Sequence, residues 1–211
     1  MVSQSTLYSV GDARRSYLAF LGRICPEKRP DRAIEIAKRS GMPLKIAAKV
    51  DRADQAYFEK VVRPLLDDPL VEFIAEIGEH EKSAFLGGAL GLLFPIDWPE
   101  PFGLVLIEAM ACGTPVIAWR SGSVPEVIED GLTGFVVDDM ERAIEAVGKL
   151  DQLDRAAVRH RFEQRFTAER MAMDYVAAYS ALTTALDWPL APSAGHLAGD
   201  RSAHGSDAEA A

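Results

Sequence analysis

Six short apolar runs, each followed by a helical pattern, predict an α/β protein built on one doubly wound parallel sheet. Strands covered on both faces read as near-continuous apolar stretches, and helices are the usual crossovers between consecutive parallel strands. The first run, 17–22, ends at Gly22, and a helix follows over 31–40 with Pro30 just before it, where helices tolerate proline. Strand 44–50 leads to a helix over 54–66, and strand 71–75 to one over 79–88. Strand 90–94 leads through a proline-rich turn to a helix over 103–111. The last two strands, 116–118 and 135–137, precede helical segments over 124–129 and 140–150 respectively. A sheet of about six strands with helices on both faces is the expected core.

Residues 154–186 read as two helices broken near Phe166 and Thr167, with Thr167 as the N-cap of the second. Met171, Tyr175, Tyr179, Leu182 and Leu186 then fall at helical spacing, either to close the domain's own core or to meet a partner domain. Residues 187–211 are rich in Ala, Gly, Ser and Pro and are expected to be disordered, while 1–16 read as a linker. One ligand-binding domain, 17–186, is therefore expected.

Composition excludes several classes of function. The net charge of −9 argues against a general nucleic-acid binder. Yet residues 1–50 carry ten Lys/Arg against four Asp/Glu, so a small anion could sit there. No apolar run reaches the roughly 20 residues of a membrane span, and the N-terminus lacks a signal-peptide pattern, so a cytoplasmic location is expected. Cys25 and Cys112 are too few for a disulfide framework or a zinc site.

Topology predicts where a ligand would sit. In one common doubly wound order the first and fourth strands are neighbours where the winding reverses, and ligands bind outside their carboxyl ends. Those exits are "GRICPEKRP" and "PIDWPEPFG". The first offers Arg23 and Lys28 beside Gly22, a fork and a mobile point charge suited to phosphate oxygens. Taken alone, that segment reads as a surface pair with Glu27 or Asp31. The second exit is stiffened by Pro95, Pro99 and Pro101 and delivers Phe102, Gly103 and Leu104 as the first turn of a helix. Backbone N–H groups there suit an anion or a sugar hydroxyl. Glu108 is the only charged residue between Pro101 and Trp119, so its carboxylate needs a partner. The diol of a sugar is one, shared with Glu100; a salt bridge to Arg23 or Arg120 is the other.

"EPFGLVLIE" resembles the Glu-x7-Glu motif of retaining glycosyltransferases of family 4 (group 1), which have the GT-B fold of two Rossmann-like domains. "LGRICPEK" resembles that family's diphosphate loop, and "EAMACGTPVIA" and "GSVPEVIEDGLTGFVV" resemble the segments that follow the motif. Four ordered blocks make the likeness specific, and it covers the C-terminal, donor-binding half from about residue 17 to 182.

The resemblance implies that Arg23 and Lys28 bind the donor diphosphate, that Glu108 bonds the ribose and that Glu100 bonds the transferred sugar. The backbone of Gly22, Phe102, Gly103 and Leu104 lies nearby, and Glu126 is a further candidate to line the donor side. Arg23, Lys28 and Glu100 become the catalytic set. It also implies a nucleotide-diphosphate sugar as substrate, no metal or other cofactor, and an N-terminal acceptor domain or separate subunit as partner. Peripheral membrane association of the full enzyme is compatible with this. The chain alone is expected to bind a donor at roughly 0.1–1 mM and to be a very poor catalyst. A non-catalytic nucleotide-sugar-binding module or subunit is the alternative. An epimerase would need an acid/base set not displayed here, and a phosphorylase a pyridoxal site. Two departures bear on base placement: Ala47-Ala48-Lys49 and Ala75 stand where the family commonly has glycine.

Overall fold

The computed structural model describes residues 16–185. Residues 1–15 and 186–211, which hold the expected linker, the expected tail and Leu186, lie outside them. The chain forms two units, divided between Met173 and Asp174.

The first unit is a six-stranded parallel sheet in the order β3-β2-β1-β4-β5-β6. Its strands are β1 (Leu18–Arg23), β2 (Leu44–Lys49), β3 (Val71–Ala75), β4 (Gly91–Phe94), β5 (Val116–Trp119) and β6 (Gly134–Val137). Among the described residues before 166, six α-helices of four residues or more accompany it: α1 (Pro30–Ser40), α2 (Glu79–Gly87), α3 (Leu104–Ala111), α4 (Val124–Val127), α5 (Met140–Val147) and α6 (Arg155–Arg165). Strand residues alternate between two cores. Ala19, Ala47, Leu92 and Val116 pack with Leu106, Met110, Val158 and Phe162 of α3 and α6. Leu18, Leu44, Leu93 and Ile117 pack with Ile34, Ala37, Ala143 and Ala146 of α1 and α5 on the other face. The doubly wound expectation holds, and β1 and β4 are neighbours at the reversal.

Three local expectations need correction. The helix expected over 54–66 is broken: Gln55–Tyr57 is α-helical, Phe58–Val62 is a π turn and Arg63–Leu65 a 3-10 turn. Pro64 is the physical reason, since it lacks an N–H and its ring crowds the carbonyl four residues earlier. The segment expected over 124–129 is helical only over Val124–Val127. Phe102 and Gly103 do not belong to a first helical turn. Gly103 is left-handed (φ 77°) and forms the N-cap of α3, which begins at Leu104.

The helix after α6, α7 (Ala168–Ala185), runs across the division between units. Thr167 Oγ1 accepts from the N–H of Arg170 at 3.2 Å, the expected cap. In the second unit the rings of Tyr175 and Tyr179 stack with centroids 6.3 Å apart, and Thr183 bonds the carbonyl of Tyr179. Met171, Tyr175, Tyr179 and Leu182 are exposed.

Ala75, at the end of β3, lies at φ 67°, where a Cβ is costly. The register between β2 and β3 shifts beside it, from Ile46 to Ala47. A glycine at this exit would adopt the same conformation without strain, at some cost in unfolded-chain entropy. Ala75→Gly is therefore expected to raise stability by about 0.5–1 kcal/mol, read as an upward shift of the urea midpoint. An unchanged or lower midpoint would contradict the strain.

Candidate functional site

The exits of β1 and β4 meet. Asp97 donates its N–H to the Glu27 carbonyl at 2.8 Å, joining the two loops main chain to main chain. Arg29, itself left-handed (φ 51°), grips Asp31 through Nε and Nη2 and reaches Asp97 through Nη1 at 3.0 Å. Arg32 adds bonds to the carbonyls of Pro95 and Ile96. These contacts fix the spacing between the cationic loop and the acidic one.

Two adjoining hollows open at this junction. One, of about 410 Å³, is lined by Lys28, Glu100, Phe102 and Gly103 among others. The second, of about 380 Å³, is lined by Arg23, Lys49, Lys82 and Glu108 with Ala47 and Ala48. Leu21, Gly22, Leu104 and Val105 border both, so the hollows form one crevice with two lobes. All eight residues expected at a ligand site, Gly22, Arg23, Lys28, Glu100, Phe102, Gly103, Leu104 and Glu108, line it. Glu126 lines neither lobe; its carbonyl accepts from Arg165 at 2.6 Å.

The charged groups pair differently from the surface pairs considered from sequence. Lys28 Nζ is bonded to Glu100 Oε2, and Trp98 Nε1 donates to the same oxygen at 3.0 Å. Glu108 pairs with neither Arg23 nor Arg120 but with Lys82 of α2, at 3.1 Å. Lys82 also meets Glu79 at 2.8 Å, so it is a bridge between two carboxylates. Arg23 is half-exposed; it bonds the Cys25 side chain, and its nearest acids are distant, 3.7 Å for Asp51 and 4.0 Å for Asp54. Such a fork can turn to a ligand at little cost.

Burial opposes ionisation of Glu100, but the bonds from Lys28 and Trp98 outweigh it and hold the carboxyl below its usual range. A depressed folded-state pKa contributes stability above the unfolded value, about 4.3, and that contribution disappears as pH falls through the folded value. Lys28→Met is thus expected to destabilise the chain at pH 7 and to lose that penalty below about pH 4. Denaturant midpoints of parent and variant measured from pH 3 to 7 should converge at the acid end; a constant gap would refute the coupling.

Sequence reasoning missed Lys82 and Trp98. Lys82 follows Glu79 by three positions in "EHEK", which reads as an ordinary surface pair. Its second partner, 26 residues away, is set only by the packing of α2 beside α3. Trp98 had a weak signal, an indole donor two residues before an acid in a loop of prolines.

Fold and crevice together define a Rossmann-like domain with a two-lobed crevice, its largely apolar walls carrying charged side chains, at its winding reversal. The chain belongs to the glycosyl transferases group 1, whose family model matches residues 11–166. The expected likeness to the C-terminal domain of that family is therefore borne out. The D-inositol 3-phosphate glycosyltransferase of Mycobacterium sp. (strain KMS) is 34% identical over 139 residues, 60% of this chain and 30% of the relative. The chain thus matches less than a third of that relative's length. Sucrose-phosphate synthase from Thermosynechococcus elongatus superposes with a TM-score of 0.67 at 26% identity, covering 86% of this chain and 51% of that one. Anabaena HepE in complex with UDP and glucose gives a TM-score of 0.70 at 19% identity over 83% and 54%, a likeness of fold. Among the described residues no helix is long and apolar enough to cross a membrane.

Proposed function

We propose that this chain is the donor-binding domain of a retaining glycosyltransferase that moves a sugar from a nucleoside diphosphate to an acceptor hydroxyl. The observation that carries the reading is the meeting of Arg23, Lys28, Glu100 and Glu108 along one crevice. Family membership and the glycosyltransferase among its relatives support it.

In this reading the lobe of Arg23 and Glu108 takes the nucleoside, with Glu108 accepting from the ribose hydroxyls. Lys28 and Arg23 hold the diphosphate, and Glu100 accepts from hydroxyls of the transferred sugar. The acceptor oxygen attacks the anomeric carbon on the face from which the diphosphate departs. The bond from that carbon to the phosphate oxygen breaks, and the acceptor's proton passes to the departing phosphate. Arg23, Lys28 and the N-terminus of α3 neutralise the leaving charge, so no metal is required by the scheme. An N-terminal acceptor domain, in the same polypeptide or a separate subunit, completes the enzyme; its action is placed in the cytoplasm.

Ligand-observed NMR of the chain with UDP-, GDP- and ADP-glucose tests this. One nucleotide sugar should bind at roughly 0.1–1 mM, and Arg23→Ala and Glu108→Ala should each weaken it about tenfold, as for one lost charge-assisted bond. Variants that bind like the parent would overturn the site. A non-catalytic module would bind equally but gain no transfer activity when supplied with an acceptor half.

A further inference from the structure

Glu100 is held by Lys28 and the Gly103 backbone, both of the donor site described above, and also by Trp98 and Ser123, which lie outside it. Its side chain takes the Trp98 indole N–H on Oε2, the oxygen that Lys28 also engages, which leaves Oε1 outside both contacts. Its carbonyl accepts the N–H of Ser123 at 2.9 Å. Ser121 Oγ donates to the carbonyl of Trp98 at 2.7 Å, so the segment after β5 ties down both ends of the tripeptide 98–100. Gly122 passes so close that a Cβ there would lie 2.3 Å from the Glu100 carbonyl oxygen.

From this geometry we infer that Trp98, seated on the strap Ser121–Gly122–Ser123, is a positioning residue that aims the Glu100 carboxylate at the sugar of the donor. The inference rests on the proposed donor-binding function. Lys28 alone could not do this work. Its ammonium is a point charge on a flexible stem, and a bound diphosphate competes for it. The indole donor has a fixed direction and no diphosphate to answer to, so it keeps Oε2 occupied when Lys28 turns to phosphate. With Oε2 so held and the Gly103 backbone N–H also bonded to the carboxyl, Oε1 meets a hydroxyl in one orientation, the preorganisation that sugar recognition needs. The depressed pKa of Glu100 has the Trp98 bond among its causes, after burial, which acts the other way, and the Lys28 bond.

Trp98→Phe keeps a ring and removes the donor. Two readouts on the full 211-residue chain separate positioning from mere packing. The first is the titration of the Glu100 carboxyl by 13C NMR, expected to move upward in Trp98→Phe. The second is affinity for UDP-glucose against UDP: the variant should bind UDP as the parent does and UDP-glucose about tenfold more weakly. Saturation transfer to the glucose protons should fall relative to the uridine protons. Ser121→Ala, which loosens the strap without touching the indole, should give the same pattern more mildly and serves if Trp98→Phe does not fold. An unmoved Glu100 titration, or equal losses for UDP and UDP-glucose, overturns the assignment. If the parent itself gains nothing from the glucosyl group, the donor-binding function fails, while the carboxyl titration still decides whether Trp98 orients Glu100.

Discussion

Arg155→Met is expected to cost the domain roughly 3 kcal/mol, a large loss for a side chain outside the apolar core. Arg155 opens α6 yet is buried, and its guanidinium reaches back over the end of α2. Nη1 donates to the carbonyl of Ala89 at 2.9 Å, and Nη2 to the carbonyl of Gly87 at 3.2 Å and to the hydroxyl oxygen of Thr114 at 2.5 Å. Thr114, fully buried, in turn donates its hydroxyl to the carbonyl of Leu86 at 2.8 Å. One cation thus satisfies the last carbonyl of α2 and the Ala89 carbonyl just beyond it, at a helix C-terminus where the dipole also favours positive charge. Methionine fills the volume but strands those acceptors away from water at about 1–3 kcal/mol each. For a chain of this size the melting temperature should fall by roughly 6–12 °C. Arg155→Lys should fall between, because an ammonium keeps the charge but cannot fork to three oxygens. Thermal melts followed by circular dichroism check this, and a shift of only a degree or two would show that the network is dispensable.

That network also bears on the crevice. Arg155 joins the ends of the two helices that carry the Lys82–Glu108 pair. Gly113, left-handed at φ 67°, lets the turn after α3 approach the Arg155 backbone, where a Cβ would lie 2.8 Å from its carbonyl oxygen. The position of Glu108 is therefore set from behind, by packing and hydrogen bonds that no ligand touches.

The fold was legible because its signals are local. Apolar runs such as "LAFLG" and "GLLF" are covered on both faces, and that alone distinguishes them from helices and surface strands. The crevice was legible because the winding reversal places the exits of β1 and β4 together whatever their sequence. What escaped is non-local. "DQAYFEKVVRPLL" carries a helical pattern, and only Pro64 betrays that its ladder is broken into π and 3-10 turns. Arg155 reads as a surface residue in "DRAAVRHRF", since nothing in its neighbours marks the carbonyls 65–68 residues away. The pairing of Lys28 with Glu100 crosses 72 residues and depends on the Asp97–Glu27 and Arg29–Asp97 links between loops.

Gly122→Ala should be the most damaging small substitution at the crevice, because it strikes fold and site through one contact. Gly122 sits at φ 54°, where a Cβ costs about 1–2 kcal/mol. The added carbon would also lie 2.3 Å from the Glu100 carbonyl oxygen and 2.5 Å from its nitrogen. These are backbone atoms, which cannot rotate aside as a side chain would. Either the strap withdraws and gives up the Ser123–Glu100 and Ser121–Trp98 bonds, or the peptide of Glu100 moves. With overpacking at about 1–3 kcal/mol, a total loss of roughly 2–4 kcal/mol is expected. The carboxylate is displaced with its peptide in the second case and loses the strap that anchors it in the first, so under the proposed donor-binding function affinity for UDP-glucose should drop tenfold or more while that for UDP alone is less affected. Chemical denaturation gives the first quantity and an NMR titration the second. A variant as stable as the parent would mean that the loop 98–100 yields freely, and a rigid acid aimed by its backbone would no longer be tenable.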